Sequence, residues 1–200
     1  MRAALIISKK MTVYLLRHTQ VDAPGLCYGH HDVPLAATFA ADAAIVRASL
    51  LLVLPADGPA PLLFSSPASR CQRLADSLQI GPAALDERLR EMHFGTWENR
   101  PWNDLPPAEI NPWMVDYENI APPTGETFGQ LHTRAAAFLA TLENLPAPAV
   151  VVTHGGTVRA LLCHCLGIPL RNAFQMEIGF GSRTALRRQH GRWQVLGVNL

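Results

Sequence analysis

Two histidines in this chain stand where short apolar runs stop. Val13-Tyr14-Leu15-Leu16 ends in Arg17-His18-Thr19, and Ala149-Val150-Val151-Val152-Thr153 ends in His154-Gly155-Gly156-Thr157. A third run, Leu62-Leu63-Phe64, leads into Ser65-Ser66-Pro67-Ala68-Ser69-Arg70. Such short, wholly apolar stretches suit strands covered on both faces. In an open α/β sheet, reactive groups gather just beyond the carboxyl ends of strands. An imidazole next to a guanidinium at that edge suits an anionic substrate, because arginine's planar fork matches phosphate. A helix starting after Ser66 adds unpaired N–H groups and a positive dipole end, both favouring an anion. One strand-end histidine is ordinarily structural. Two, with arginines beside the strand edges, point to chemistry on an anionic substrate.

The segments between these residues must position them. Residues 38–54 carry Phe39, Ala43, Val46, Leu50 and Val53 at helical spacing, and Pro55 stops the helix. Ser66 as N-cap and Pro67 as first helical residue predict a second helix. Arg70 falls in its first turn, with Arg73 one turn further on as the alternative. Residues 101–123, rich in proline and carrying Trp102, Trp113 and Tyr117, predict one or two short helices over the site entrance. Residues 125–144 place Phe128, Leu131, Ala135, Phe138, Leu139 and Leu142 on one helical face, and another helix runs from His154 to about Leu166. Segments 183–188 and 193–198 alternate like edge strands with solvated arginines. The pattern is α/β: a three-layer α/β/α domain over residues 1–200 with a mostly parallel central sheet. Residues 1–10 read as a frayed extension or the product of a misplaced start codon. Their apolar patch, Ala3 to Ile7, is shorter than the core of a signal peptide.

The composition is that of a globular protein, with 48% hydrophobic and 16% charged residues and a net charge of +1. No global field recruits nucleic acid or a membrane, and no stretch approaches the length of a membrane span. All lysine is confined to Lys9 and Lys10; every other basic residue among the 17 is arginine. Cys27, Cys71, Cys163 and Cys165 show no framework spacing and read as reduced thiols of a cytoplasmic protein. Cys163-His164-Cys165 on a helix points in divergent directions and cannot close on one ion. His30-His31 offers two imidazoles in a loop with turn chemistry at Asp32 and Pro34, too few ligands for a metal. No metal and no cofactor are expected. Oligomeric state is not encoded in any pattern.

The most specific stretch is Leu89-Arg90-Glu91-Met92-His93-Phe94-Gly95-Thr96-Trp97-Glu98. With Arg17-His18-Thr19, Ser66-Pro67-Ala68-Ser69-Arg70 and His154-Gly155 in that chain order, it resembles the histidine phosphatase (phosphoglycerate mutase-like) superfamily. The family signature Leu-x-Glu-x-x-Phe-Gly-x-Trp-Glu is matched at every fixed position. The resemblance covers the chain from Met11 onward and implies a phosphoglycerate mutase-like fold. It implies that His18 becomes phosphorylated, and that Arg17, Arg70 and a protonated His154 hold the phosphoryl oxygens. Glu91 would protonate the leaving oxygen and then serve as base for water, with Glu98 the competing carboxylate and Glu87 a more distant one. Positive charge beside His18 would keep it neutral and nucleophilic. Tyr28, His30, Trp97 and Gly155 are further positions expected to touch substrate.

The activity so implied is a metal-independent phosphomonoesterase acting on a small metabolite. The short stretch between Glu91 and His154, and the absence of lysine after Lys10, favour this over phosphoglycerate mutase-type transfer. A non-catalytic phospholigand-binding module is the remaining alternative. Within the family, Tyr28 to Leu35 and the Glu91 stretch most resemble the α-ribazole phosphatases, which implies α-ribazole 5′-phosphate of cobalamin biosynthesis as substrate. The family's asparagine shortly after the nucleophile has no counterpart in Val21-Asp22-Ala23-Pro24.

Overall fold

The computed structural model describes residues 11–143 and 145–200. The reading of residues 1–10 as an extension lies outside them. In chain order, β1 (Met11–Arg17) and a two-residue strand β2 (Leu26–Cys27) precede α1 (Phe39–Leu51). Then come β3 (Leu62–Ser65), α2 (Ser69–Leu78), β4 (Ala83–Leu85), β5 (Arg100–Pro101) and α3 (Pro107–Val115). The last part holds α4 (Phe128–Thr141), β6 (Ala149–Thr153), α5 (Gly155–Leu166), β7 (Arg183–Gln189) and β8 (Arg192–Gly197).

Six strands form one sheet in the order β4-β3-β6-β1-β7-β8. β4, β3, β6 and β1 are mutually parallel, whereas β7 pairs antiparallel with both β1 and β8. Alternation along the strands separates two cores. Val13, Leu15, Ala149 and Val151 pack under α4 and α5, against Ala135, Phe138, Leu139, Leu161 and Leu162. Tyr14, Leu16, Val150 and Val152 pack on the other face, against α1 and α2 through Val46, Leu50, Leu74 and Leu78. The expected three-layer architecture is therefore present. A third cluster, built on Trp97, Trp113, Phe128 and Leu131, covers the carboxyl end of the sheet.

Three local expectations need correction. The second helix begins at Ser69, not at Pro67. Its first amide is taken by Asp32, whose Oδ1 accepts from Ser69 N at 2.9 Å, while the Ser66 hydroxyl accepts from Ala68 N, one residue before the helix. The long helix begins at Phe128 rather than Gly125, because Thr127 and Gln130 form a reciprocal capping box there. Only β8 is an edge strand of the tail; β7 is inserted between β1 and β8. Its arginines are not all solvated: Arg183 is buried and donates to Ser49 O at 2.5 Å, and Arg188 pairs with Glu143 at 2.9 Å.

The sheet centre is the part least able to yield. Leu15 is fully buried on β1, between β6 and β7. Leu15→Ala removes its contacts and leaves a cavity, so urea denaturation should show a loss of about 2–5 kcal/mol.

Candidate active site

Strand register brings the two histidines together. In the parallel β1–β6 pair, Arg17 lies opposite Thr153, so His18 and His154 leave the sheet side by side. His18 N donates to Thr153 O at 2.9 Å, and the imidazole centroids stand 5.2 Å apart, edge to face. β3 enters in the same register: Ser65 lies opposite Val152, and Ser66 N donates to Val152 O. That sets Ser66 Oγ 2.8 Å from His154 Nε2. The serine expected to cap a helix accepts from Ala68 N at 3.3 Å and also holds an imidazole.

His18 is 2% exposed, and its Nδ1 lies 2.8 Å from Thr19 O. A carbonyl only accepts, so Nδ1 carries the proton and Nε2 keeps its lone pair. Burial, then the charges of Arg70 and Arg17, push His18 well below the ordinary histidine pKa, against the opposing pull of the Thr19 carbonyl. His154 is fully buried and is pushed the same way by burial, Arg70 and His18. Both imidazoles are thus held neutral, which for His154 opposes the protonated form expected from the sequence.

Arg17 crosses to the loop before β7, where its Nη1 donates to Ile178 O and its guanidinium carbon sits 3.6 Å from the centre of the Phe180 ring. Its pKa is lowered by burial, with Glu91 opposing. Glu91 reaches the same place from the loop after β4. Its Oε2 accepts from Gly156 N and its Oε1 from Met92 N, both at 2.9 Å. A Cβ at residue 156 would stand 2.2 Å from Glu91 Oε1, so only glycine permits this approach. Arg134 on α4 clamps the segment that carries Glu91. Its guanidinium donates to the carbonyls of Arg88 (2.8 Å), Arg90 (2.7 Å) and Glu91 (2.9 Å) while paired with Glu126. Thr153 and Thr157 hydroxyls hold Leu89 O and Arg90 O from the other side.

Arg17, His18, Glu91 and Gly156 line one cleft that opens to solvent, together with Arg159. Its other wall is apolar and aromatic: Leu26, Tyr28, Met92, Phe94, Trp102, Phe128 and Phe174. The cleft holds about 150 Å³, which suits a small molecule rather than a polymer. Two guanidiniums with one carboxylate make a donor set for an anion, not for a metal cation.

The remaining sequence-derived positions fall elsewhere. Arg70 is fully buried behind the cleft, donating to Gly29 O at 2.6 Å and His31 O at 3.1 Å, near Asp32 at 3.6 Å. Arg73, its alternative, is exposed. Tyr28 lines the cleft beside Arg17, and burial raises its phenol. Gly155 starts α5 next to the guanidiniums of Arg17 and Arg159. His30 lies outside the cleft, packed at a tilt against His93 with centroids 4.5 Å apart. Trp97 is fully buried in the covering cluster, with Nε1 donating to Glu109 at 2.8 Å; it packs rather than lines. Glu98 is no exposed carboxylate. Burial raises its pKa, yet the amides of Gly29, His30, His31 and Phe94, at 2.7–3.0 Å, together hold it below the usual value. Sequence reasoning missed Arg159, Phe174 and Phe180. For Arg159 a signal existed: it lies four residues after Gly155, on the same helix face.

A sequence model described as histidine phosphatase superfamily (branch 1) matches residues 13–200. Among curated relatives, the adenosylcobalamin/α-ribazole phosphatase of Escherichia coli K12 is 29% identical over 186 residues, covering 88% of this chain and 89% of the relative. A probable phosphoglycerate mutase of Yersinia pestis is also 29% identical, over 199 residues, covering 94% of this chain and 89% of that one. Among solved structures, a putative α-ribazole-5′-P phosphatase of E. coli K-12 superposes with a TM-score of 0.84 at 26% identity, covering 95% of this chain and 96% of the other.

The two neutral imidazoles make stability depend on pH. Their folded pKa values lie well below the value near 6.5 they regain on unfolding. The unfolded chain therefore binds the extra protons as pH falls, and stability is lost below about pH 6.5. In urea titrations from pH 7 to pH 5 the loss should approach about 1.4 kcal/mol per pH unit for each imidazole. His154→Gln should make that slope shallower by about half; equal slopes would contradict the assignment.

Proposed function

The chain belongs to the histidine phosphatase superfamily, branch 1, and is a phosphomonoester hydrolase; we propose that it works through a phosphohistidine on His18. The observation that carries this reading is the bond from His18 Nδ1 to Thr19 O, which leaves Nε2 as the only lone pair of a cleft-lining imidazole. Arg17 and Glu91 share that cleft. Nε2 attacks phosphorus in line with the ester oxygen and the P–O bond breaks. The departing alkoxide takes a proton from Glu91, leaving a carboxylate. Water then loses a proton to that carboxylate and attacks phosphorus; the P–N bond breaks and its electron pair returns to Nε2.

Arg17 is placed to grip the phosphoryl oxygens directly through charge-assisted bonds. Arg70 stands behind the cleft and acts first on the charge of His18, while His154 packs edge-on against its ring. The Arg70 bonds to Gly29 and His31 are to neutral carbonyls; exchanging one for an anionic phosphate oxygen adds the attraction between full opposite charges, and the substrate's own charge drives that exchange. A dianion in the cleft likewise supplies the counter-charge that a protonated His154 needs. No step calls for a metal, because the guanidiniums supply the positive charge.

The proposed substrate is a small phosphomonoester, with α-ribazole 5′-phosphate first. The relatives acting on that compound support it, and so do the Phe94, Trp102 and Phe174 rings, which offer a flat benzimidazole a wall. The equal identity to a probable phosphoglycerate mutase keeps phosphoryl transfer as the second reading. A panel containing α-ribazole 5′-phosphate, 3-phosphoglycerate and p-nitrophenyl phosphate separates these. Net phosphate release, fastest for the first, is the expected result; movement of phosphate between glycerate positions without release would favour the mutase, and binding without turnover a non-catalytic module. His18→Ala should abolish turnover, and Glu91→Gln, given p-nitrophenyl phosphate whose leaving group needs no proton, should accumulate acid-labile phosphohistidine detectable by mass. EDTA should leave the rate unchanged.

A further inference from the structure

Arg159 is the one cleft-lining cation to which the reaction above gives no task. It sits on α5, four residues after Gly155, with its side chain turned back toward the helix N-terminus. Its Nε donates to Met176 O at 2.8 Å, and its guanidinium carbon lies 5.2 Å from the centre of the Phe174 ring. Among the described residues no carboxylate comes within ion-pairing distance of it, and its two terminal nitrogens have no protein acceptor. A half-buried guanidinium held at one end, with its other donors facing a cleft, is built to receive an acceptor from a ligand.

Its place in the cleft indicates which part of the ligand. A Cβ built on Gly155 would meet Arg159 Nη1 at 3.1 Å and Arg17 Nε at 3.3 Å, so the two guanidiniums flank the same point. They are anchored in opposite surroundings. Arg17 stacks on Phe180, which also leans on His18 with centroids 5.4 Å apart. Arg159 stacks on Phe174, at the half-exposed aromatic rim. Glu91 is the charge that most opposes burial for both guanidiniums, so both stand near its carboxylate, but only Arg17 of the two bears on His18. Glu91 is the proposed donor to the leaving oxygen. Arg159 therefore lies beyond the ester bond, on the side of the departing alcohol.

We propose that Arg159 is a specificity-determining residue that binds an oxygen acceptor, hydroxyl or carboxylate, on the alcohol half of the phosphoester. This rests on the reading of His18 and Glu91 as the two ends of the displacement. The preferred substrates then have a second oxygen function within a few bonds of the ester oxygen, as a sugar phosphate or a phosphoglycerate has and phenyl phosphate lacks. The aromatic rim takes whatever flat group lies further out.

The test compares Arg159→Met and Arg159→Lys with the parent on ribose 5-phosphate, 3-phosphoglycerate and phenyl phosphate, with inorganic phosphate as competitive inhibitor. Arg159→Met should cut the preference (the ratio of kcat/KM values) for an oxygenated ester over phenyl phosphate about tenfold or more, chiefly through KM. Arg159→Lys should restore part of it. A larger effect on ribose 5-phosphate assigns the contact to a hydroxyl, and on 3-phosphoglycerate to a carboxylate. An unchanged preference overturns the proposal. So does a Ki for inorganic phosphate that rises in step with KM, because Arg159 would then grip the phosphoryl group. A parent that hydrolyses neither these three nor α-ribazole 5′-phosphate overturns the phosphatase reading, and this inference with it.

Discussion

The site depends first on the register of one strand pair. Because β1 and β6 run parallel with Arg17 opposite Thr153, the next residue on each strand is a histidine, and the two rings must touch. A slip of one residue would turn every side chain of β1 to the other face. Leu15 and Leu16 would exchange cores, and Arg17 would leave the cleft. The apolar burial on both faces that stabilises the sheet is thus the same constraint that aligns the imidazoles. β3 extends the arrangement by one strand and supplies Ser66 to His154.

Polar groups this deep are costly unless partnered, and most are. Thr19 O holds His18, Ser66 holds His154, and loop carbonyls hold Arg70. Fixed partners of this kind position the groups before a ligand arrives. The Glu91 segment has no regular secondary structure to support it. Its rigidity comes from Arg134, which satisfies three of its carbonyls at once, with Thr153 and Thr157 as further struts. Glu98 does the same for the loop at residues 29–31 by collecting its amides. Two carboxylates seven residues apart thus have different tasks: one lines the cleft, the other organises the backbone around it.

The cleft is asymmetric in chemistry as well as shape. Arg17 stands at the end near His18 with Arg70 buried behind the cleft, and aromatic rings form the outer wall, where Arg159 meets Phe174. Such a division suits a small ester with a dianionic head and a less polar body. It also explains why resemblance identifies the reaction more sharply than the substrate: the head group contacts come from strand ends, whereas the body contacts come from loops and short helices.

The fold class was legible in the chain because apolar runs at two-sided spacing and amphipathic helical stretches are local signals. So were Arg17, His18, Glu91 and His154, each marked by a strand end or a distinctive signature. What failed was non-local. Nothing near Ser66 in sequence reveals that an imidazole claims its hydroxyl while Asp32 takes over at the helix start. The tail looked like edge strands because hydropathy does not report which neighbour a strand finds; β7 found β1. Trp97 carries a family signature yet is buried, and Arg159 carries none yet faces the cleft. Residue type and spacing determined which groups this protein has for handling phosphate. Only the packing of distant segments decided which of them share a cavity, because a side chain's partners are set by distance in space and not along the chain.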